Sequence, residues 1–222
     1  MVETKSGKHQ CKRSDMMKVV LLNGSPHKDG CTYTALSEAA RVLEDQGINT
    51  EILQLGTRPV RGCIACGACS KTGRCTFDDD VVNLWIDKIK EVDGLIAGSP
   101  VYYAGPNGAF CAVLDRVFYA AGSAFRFKPA AAVLSARRGG ASASFDRLNK
   151  YFTIAEMPVV ASQYWNAVHG NTPQEVKQDR EGLQIMRTLG KNMAWMLKAM
   201  EQQRNADGVP EREPWTPTNF IR

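Results

Sequence analysis

A short polar loop near the start of the chain has residue types that bind anions. The segment Asn23-Gly-Ser-Pro-His-Lys-Asp-Gly-Cys-Thr32 follows an apolar run and leads directly into a segment with helical periodicity. Backbone N–H groups and the positive end of a helix dipole at such a junction attract negative charge. The hydroxyls of Ser25 and Thr32 add two more donors. We therefore predict a phosphate-binding loop, and the alternative is a simple turn built from Gly, Ser, Pro and Asp.

The spacing of the glycines narrows the class of phosphate ligand. Five residues separate Gly24 from Gly30, and Cys31 stands where a Walker A loop has its lysine. The loop also lacks the G-x-G-x-x-G spacing that lets a dinucleotide pyrophosphate approach the backbone. Hydrolysis of ATP or GTP is therefore disfavoured, and a single terminal phosphate fits better.

Four of the seven cysteines are crowded together, namely Cys63, Cys66, Cys69 and Cys75. The first three have the spacing C-x2-C-x2-C, which can turn around one face of a 4Fe-4S cubane, and the fourth can close the set. A zinc ion held by four thiolates and free thiols that pack a loop are the two alternatives. Asp78 to Asp80, which follow, are predicted to cap the next helix rather than to bind a metal. The opening segment lacks the apolar core of a secretory signal, so we expect a cytoplasmic protein with reduced thiols.

A glycine-rich loop at residues 98–108 carries two adjacent aromatic residues, Tyr102 and Tyr103. A flat, amphipathic ring system needs aromatic or peptide walls and donors at its edge, and backbone amides near Gly105 can supply the donors. This loop is therefore predicted to line a site for a planar cofactor. The alternative for both tyrosines is packing against the protein.

A second glycine-rich loop, residues 135–142, carries two adjacent arginines. The guanidinium groups of Arg137 and Arg138 can favour negative charge on a reduced ring or bind a phosphate of a nucleotide donor. A solvated loop is the alternative for these two residues. The patch Tyr164-Trp165-Asn166 is predicted either to cover the ring or substrate pocket or to be a structural loop.

The elements between these loops must position them. Short apolar runs alternate with segments of helical periodicity, which predicts an α/β fold with a parallel sheet covered by helices on both faces. In such a doubly wound sheet, ligands bind beyond the carboxyl ends of the strands where the strand order reverses, so the loops are expected to converge there. The predicted strands are 18–23, 49–55, 93–98, 129–135 and 158–161, and the predicted helices are 32–46, 79–90, 107–120, 142–155 and 172 to about 203.

The composition of the 222 residues fits one globular domain. No apolar run is long enough to span a bilayer. The net charge of +5 rests in good part on the opening segment, with Lys5, Lys8, Lys12 and Arg13, so a nucleic-acid surface is disfavoured. We expect a domain at residues 18–203 with a cysteine-rich loop at 60–78, a disordered extension or expression remnant at 1–17, and a disordered tail or subunit-docking arm at 204–222.

Three motifs in this order resemble those of a known family. They are Asn23-Gly-Ser-Pro with Gly30-Cys-Thr32, Gly98-Ser-Pro-Val-Tyr-Tyr103, and Leu114-Asp-Arg116. Over residues 18–197 the chain is similar to the NADPH-dependent FMN reductase and iron–sulfur flavoprotein branch of the flavodoxin-like superfamily. The resemblance implies a flavodoxin-like sheet of five parallel strands in the order 2-1-3-4-5, with FMN as the cofactor. The implied contact residues are Ser25, His27, Gly30, Cys31 and Thr32 at the phosphate, and Pro100, Val101, Tyr102, Tyr103, Gly105, Ser135, Arg137, Arg138 and Gly139 at the ring.

The resemblance also implies an activity. An FMN-containing, NAD(P)H-dependent reductase would pass electrons to a small acceptor such as a quinone or a flavin, and the flavin would perform the chemistry without a dedicated catalytic side chain. The alternative is an electron carrier between FMN, a 4Fe-4S cluster at the cysteine quartet and a protein partner such as ferredoxin. A third and more remote alternative is a flavin-free scaffold protein that binds zinc through the cysteines. The family resemblance further implies a homodimer or homotetramer with the flavin near a subunit interface.

Overall fold

In the computed structural model, which describes residues 16–218, parallel strands form a sheet with helices on both faces. The strands pair in the order β2-β1-β3-β5-β6, which confirms the predicted order of parallel strands. An additional short strand, β4, pairs antiparallel with the end of β3. The strands are β1 (Lys18–Asn23), β2 (Asn49–Gln54), β3 (Gly94–Tyr102), β4 (Gly105–Pro106), β5 (Ala130–Ala136) and β6 (Ala167–His169).

The helices divide between the two faces of the sheet. One face carries α1, α6 and α7, and the other carries α3, α4 and α5. A short helix, α2, lies in the cysteine-rich loop, and a 3-10 turn, η1, follows α4. The bounds are α1 (Cys31–Asp45), α2 (Cys69–Thr72), α3 (Val82–Glu91), α4 (Gly108–Ala121), η1 (Gly122–Phe125), α5 (Ala141–Ile154), α6 (Pro173–Val176) and α7 (Arg180–Asp207).

The sheet separates two hydrophobic cores. Successive side chains of a strand point to opposite faces. In β1, Val19 and Leu21 therefore pack with α1 and α7, while Val20 and Leu22 pack with α3 and α4. All four are buried, which is why β1 is a continuous apolar run in the sequence. The central strands are thus fixed from both sides, and the loops at their carboxyl ends have a rigid base.

The fifth position of the sheet differs from the prediction. The apolar run at 158–161 contributes a bridge between Val159 and Ala130, and the regular strand there is β6, which pairs with the end of β5. Residues 161–166, between them, form no strand. The buried Asn166 bonds to β5 in place of a strand, because its Nδ2 donates to the Ala132 carbonyl at 3.0 Å and its carbonyl accepts from Leu134 N–H at 2.9 Å.

The predicted helix from 172 to about 203 is two helices. Thr172 caps α6 as predicted, since its hydroxyl accepts from the backbone N–H of Glu175 at 3.2 Å. The chain then breaks before Asp179, whose carboxylate caps α7. Helix α7 continues to Asp207 and so enters the first residues of the predicted tail.

The ends of the chain are described only in part. The predicted extension at 1–17, with Cys11, lies almost wholly outside the described residues, as do residues 219–222. Residues 208–218 are exposed and contain no helix or strand. Within the described part of the chain, no helix is long and apolar enough to cross a membrane.

Candidate functional site

Side chains at the ends of β1 and β2 hold the loop after β1 in place. The buried Asn23 side chain donates through Nδ2 to Gln54 Oε1 at 2.7 Å and to the Lys28 carbonyl at 3.2 Å, and its Oδ1 accepts from Ser25 N–H at 3.2 Å. Gln54, at the end of β2, donates in turn to the Ser25 carbonyl at 2.7 Å. The loop backbone is therefore held in place by two side chains at the ends of neighbouring strands.

The other side of this loop presents donors at the start of α1. Gly30 occupies the N-cap position in an extended conformation, and no side chain among the described residues caps the helix. The N–H groups of the first turn, including those of Cys31 and Thr32, have no acceptor within a helix. Together with the helix dipole they have the donor character that an anion site requires. The Ser25 hydroxyl lies at this turn, where it accepts from His27 N–H at 3.1 Å, and the His27 side chain is exposed.

Two predicted contact residues from different loops meet at the floor of the site. The hydroxyls of Thr32 and Ser135 are 2.8 Å apart, and both residues are buried. Ser135 also pairs with Pro100 in the register of β3 and β5. One hydroxyl donates to the other, so one proton of the pair stays available to a ligand. The loops after β1, β3 and β5 therefore converge at one edge of the sheet, as expected for this topology.

The tyrosine loop is a tight hairpin rather than an irregular loop. Residues Val101 and Tyr102 pair with β4, and Tyr103 and Ala104 form the tip with φ of +50° and +61°. Positive φ at both central positions is typical of a two-residue hairpin turn, but it is strained for residues other than glycine. Tyr103 is fully exposed at 108% and Tyr102 is exposed as well, so the packing alternative does not describe them.

The hairpin rests on the loop after β5. A Cβ at Gly140, which has φ of +92°, would lie 2.6 Å from the Cα of Ala104 and 2.9 Å from Val101 Cγ1. Only glycine fits this contact without a shift of backbone. The close approach fixes the position of the tyrosines relative to the loop that carries Arg137 and Arg138.

Arg137, Arg138 and Gly139 are all exposed. Arg138 and Gly139 line an open cavity of about 370 Å³ between the loop after β5, β6 and the start of α7. The lining also includes the aromatic pair Tyr164 and Trp165, whose ring centroids are 4.9 Å apart. The structure thus places part of the arginine loop and the aromatic patch around one cavity.

The hairpin and the phosphate loop are also joined by Asn107, which the sequence did not single out. Its Nδ2 donates to the Gly24 carbonyl at 2.8 Å, its backbone N–H donates to Ser99 Oγ at 2.9 Å, and its Oδ1 accepts from Ala109 N–H at the start of α4. An asparagine at the N-cap of a helix is a local signal that sequence can show. Its second contact, with Gly24, joins residues far apart in the chain.

The thiols of Cys31 and Cys111 are not part of the cysteine quartet. Burial is the largest influence on both and raises the pKa of each thiol. Cys31 Sγ lies 3.7 Å from the Gly170 carbonyl. Both thiols are therefore neutral near pH 7, so the group that Cys31 offers to the predicted phosphate site is its backbone N–H.

The four cysteines of the quartet line a single open pocket between the cysteine-rich loop and α4. Cys63 and Cys66 are exposed, Cys69 and Cys75 are partly buried, and no disulfide joins cysteines within residues 16–218. The described residues contain no group of three or more His, Cys, Asp or Glu side chains that could hold a single metal ion. The thiols thus share one cavity, and a metal centre there is a proposal.

One end of the cysteine-rich loop is anchored much more firmly than the other. The buried Asn83 side chain accepts from Cys75 N–H at 2.9 Å and donates to the carbonyls of Cys75 and Phe77 and to Asp78. Asp80 Oδ1 accepts from Val82 N–H at 3.1 Å, in the first turn of α3, but the N-cap position is Val81 and no side chain of the described residues caps it, so the predicted cap by Asp78 to Asp80 is met only by this one bond. Sequence reasoning did not identify Asn83, because nothing local marks a helix residue as the support of a distant loop.

Comparison with known proteins places the chain in a family. The model of the NADPH-dependent FMN reductase family matches residues 17–172. An iron–sulfur flavoprotein of Methanocaldococcus jannaschii is 34% identical over 194 residues, which are 84% of this chain and 100% of that protein.

Solved structures agree on the fold. An NAD(P)H:quinone oxidoreductase from Methanothermobacter marburgensis has a TM-score of 0.61 at 17% identity, covering 81% of this chain and 98% of that one. A flavodoxin from the domain Archaea has a TM-score of 0.57 at 14% identity, covering 82% and 99%. These likenesses confirm a flavodoxin-like fold. The chain therefore belongs to the NADPH-dependent FMN reductase family of FMN-dependent oxidoreductases, and its relatives there include iron–sulfur flavoproteins.

Proposed function

We propose that the protein binds FMN at the edge of the sheet and uses it to pass electrons from NAD(P)H to a small acceptor such as a quinone or a flavin. The observation that carries the proposal is the convergence of three loops at the carboxyl ends of β1, β3 and β5, joined at the floor by the contact of Thr32 with Ser135. The family to which the chain belongs agrees with this reading. A quinone oxidoreductase among its structural neighbours suggests the class of acceptor.

The residues of the phosphate loop fit the terminal phosphate of FMN. The first-turn N–H groups of α1 can donate to phosphate oxygens, and each favourable charge interaction with the helix dipole is worth about 0.3–1 kcal/mol. The hydroxyls of Ser25 and Thr32 add neutral donors. The neutral thiol of Cys31 adds no negative charge next to the dianion. The proposed phosphate contacts are Ser25, His27, Gly30, Cys31 and Thr32.

The two later loops fit the ring system. Tyr102 and Tyr103 stand in solvent beside the loop after β5, so they can cover a flat ligand rather than the protein core. Backbone donors near Gly105 and Gly139 can reach a ring edge, and the guanidinium groups of Arg137 and Arg138 favour negative charge there. FMN, when bound, supplies the hydride-accepting chemistry. The proposed ring contacts are Pro100, Val101, Tyr102, Tyr103, Gly105, Ser135, Arg137, Arg138 and Gly139.

A second candidate function is electron transfer through a 4Fe-4S cluster to a protein partner such as ferredoxin. It is favoured by the four thiols around one cavity and by two N–H groups that donate to their sulfurs, from Ala65 to Cys63 at 3.4 Å and from Arg116 to Cys75 at 3.2 Å. Hydrogen bonds to ligand sulfurs are typical of iron–sulfur sites. Relatives named iron–sulfur flavoproteins support the same proposal. Four thiolates are the donor set that a 4Fe-4S cluster needs, and this supports the proposal.

Spectroscopy and turnover test both candidates. Protein purified without oxygen should show flavin absorbance and should oxidise NAD(P)H steadily when a quinone or free FMN is added. A colourless protein without FMN would contradict the flavin proposal, and flavin without turnover would leave only the carrier function. Iron and sulfide analysis should give about four of each per chain. The variant Cys66→Ser should lose the iron, whereas Cys111→Ser, outside the quartet, should keep it.

Assembly and location complete the proposal. We propose a homodimer or homotetramer, in keeping with the exposed tyrosine hairpin, and light scattering on the purified protein would measure its mass. The domain predicted at residues 18–203, with the cysteine-rich loop at 60–78, stays a proposal, and α7 extends its last helix to Asp207. Reduced cysteines favour the cytoplasm as its location, and nothing in the charge pattern favours nucleic acid or a membrane as a partner.

A further inference from the structure

Arg116, on α4, is a buried charge at the wall of the cysteine cavity. Its side chain is 1% exposed, and it forms an ion pair with Asp80, whose side chain is 5% exposed. Its Nε donates to Cys75 Sγ at 3.2 Å. A buried charge is costly unless it is paired and fully hydrogen bonded. Packing alone therefore does not explain why a charged side chain is buried at this position.

The other contacts of Arg116 reach both ends of the cysteine-rich loop. Its Nη1 donates to the Arg61 carbonyl at 3.3 Å, and its Nη2 donates to the Phe77 carbonyl at 3.4 Å. Arg61 precedes the first cysteine of the quartet, and Phe77 follows the last. One guanidinium group thus bonds to both ends of the cysteine-rich loop and to Cys75, a candidate metal ligand that lies between them.

The ion pair is oriented with respect to the sulfur. Asp80 bonds to Nη1, whereas Cys75 Sγ bonds to Nε, so the positive end of the pair faces the thiol. Burial acts to lower the pKa of the Arg116 guanidinium, but the hydrogen bonds to Asp80 and Cys75 outweigh it and raise the pKa. A guanidinium group is charged near neutral pH, so Arg116 places a positive charge beside the sulfur of Cys75.

We propose that Arg116 is a positioning residue that raises the reduction potential of an iron–sulfur cluster held in part by Cys75. This inference rests on the cluster proposed above. Net charge and hydrogen bonds to the sulfurs are two of the features that set cluster potentials. A positive charge and an N–H donor at a ligand sulfur stabilise the reduced form, which carries one more negative charge. Asp80 moderates this effect because its charge is opposite.

The test measures the cluster's reduction potential in variants that change one charge at a time. Arg116→Met removes both the charge and the N–H donor. Asp80→Asn keeps the arginine beside the sulfur and removes its counter-charge. Arg41→Met, on the exposed surface of α1, removes one positive charge elsewhere and serves as the control. Each variant is purified without oxygen and checked for fold by circular dichroism and for iron, sulfide and FMN content. The potential is then titrated by the EPR signal of the reduced cluster.

We expect opposite shifts in the two variants of the ion pair. Arg116→Met should lower the potential by at least about 59 mV, a tenfold change in the ratio of reduced to oxidised cluster for one electron. Asp80→Asn should raise the potential, Arg116→Lys should lie between Arg116→Met and wild type, and Arg41→Met should match wild type. A purely structural arginine cannot produce shifts of opposite sign, because loss of either partner would only lower the cluster content.

The outcomes separate this inference from the function on which it rests. Wild-type protein without iron and sulfide would overturn the cluster itself. A wild-type cluster with an unchanged potential in both Arg116→Met and Asp80→Asn would overturn only the role of Arg116. Should Arg116→Met retain too little cluster to titrate, Asp80→Asn decides, since a raised potential supports the proposal and an unchanged one overturns it.

Discussion

The phosphate loop and the cysteine-rich loop differ in how the fold supports them. The phosphate loop follows a central strand, is braced by Asn23 and Gln54, and places the hydroxyl of Thr32 against that of Ser135 in the buried floor. The cysteine-rich loop lies outside the sheet, with Cys63 and Cys66 exposed. The phosphate loop is therefore held on both sides by side chains of the strands and α1, whereas the cysteine-rich loop is held firmly at the end that carries Cys75.

The two loops are supported differently because they connect different elements of the fold. The phosphate loop joins β1 to α1, two elements fixed by both hydrophobic cores, so its geometry follows from the sheet. The cysteine-rich loop joins the edge strand β2 to α3 and depends on side chains of α3 and α4. The two sites should therefore respond separately to mutation, and loss of one ligand should leave the other in place.

The largest effect should come from Asn83→Ala, which removes the support of Cys75. The variant leaves the Cys75 N–H and the carbonyls of Cys75 and Phe77 without their partner. Unsatisfied buried groups cost about 1–3 kcal/mol each, so we expect the free energy of unfolding to fall by about 3 kcal/mol. Iron content should fall while FMN content stays near wild type, as measured by urea unfolding and cofactor analysis. Equal loss of both cofactors would contradict the independence of the two sites.

The converse variant is Asn107→Ala, which loosens the phosphate loop at Gly24. It removes the partners of the Gly24 carbonyl and of Ala109 N–H at the start of α4, while the bond from its backbone N–H to Ser99 stays, and we expect a loss of about 2 kcal/mol in unfolding free energy. Here the affinity for FMN should fall while the iron content is kept. Fluorescence titration of the flavin-free protein with FMN measures the affinity. An unchanged affinity would show that Asn107 supports α4 alone.

These two asparagines also show the limit of the sequence. The strand order and the phosphate loop could be predicted because their signals are local, in apolar runs and in the residues between β1 and α1. Asn83 and Asn107 act through partners that only the folded chain brings near. The same holds for Arg116, which stood out in the sequence as part of a motif but whose contact with Cys75 spans 41 positions. The run at 158–161 forms no full strand because Asn166 makes the hydrogen bonds to Ala132 and Leu134 of β5 instead.

A smaller effect should follow from Thr32→Val, which keeps the shape of the side chain and removes its hydroxyl. Ser135 then loses its buried partner, and the phosphate site loses one donor. We expect FMN to bind about tenfold more weakly, which corresponds to about 1.4 kcal/mol. The control Thr34→Val removes a hydroxyl from the next turn of α1 that bonds to the Gly30 carbonyl instead. Equal losses of affinity in both variants would argue against a specific role for the floor contact.

Two substitutions at the tip of the tyrosine hairpin distinguish the effect of its backbone strain from the effect of its aromatic side chain. Both Tyr103→Gly and Ala104→Gly relieve a positive φ, so each should raise the unfolding free energy by about 1 kcal/mol. Only Tyr103→Gly removes a ring. It should therefore change the visible spectrum of bound FMN or weaken its binding, while Ala104→Gly should leave both as in wild type. Matching spectra in the two variants would remove Tyr103 from the proposed ring wall.

The smallest effect concerns the helices that hold the phosphate side of the sheet. Glu38 on α1 bonds to Arg187 on α7 at 2.9 Å and to Arg41 at 3.2 Å. Burial alone would raise the pKa of Glu38, but the hydrogen bonds from Arg41 and Arg187 outweigh it and hold the pKa below its ordinary value. Between the folded and the unfolded pKa of Glu38, the unfolded chain binds more protons than the folded chain. The stabilisation is therefore fully present at neutral pH and is lost as the pH falls through the folded pKa.

The variant Glu38→Gln should accordingly be less stable than wild type by up to about 1 kcal/mol at pH 7 and equally stable in acid, below both pKa values. Urea unfolding across this pH range measures the difference, and Glu211→Gln in the exposed C-terminal segment is the control. A difference that persists in acid would show that packing, rather than charge, joins α1 to α7 at this point. Iron content should be unaffected at every pH at which wild type retains its iron, because this ion pair lies across the sheet from the cysteine-rich loop.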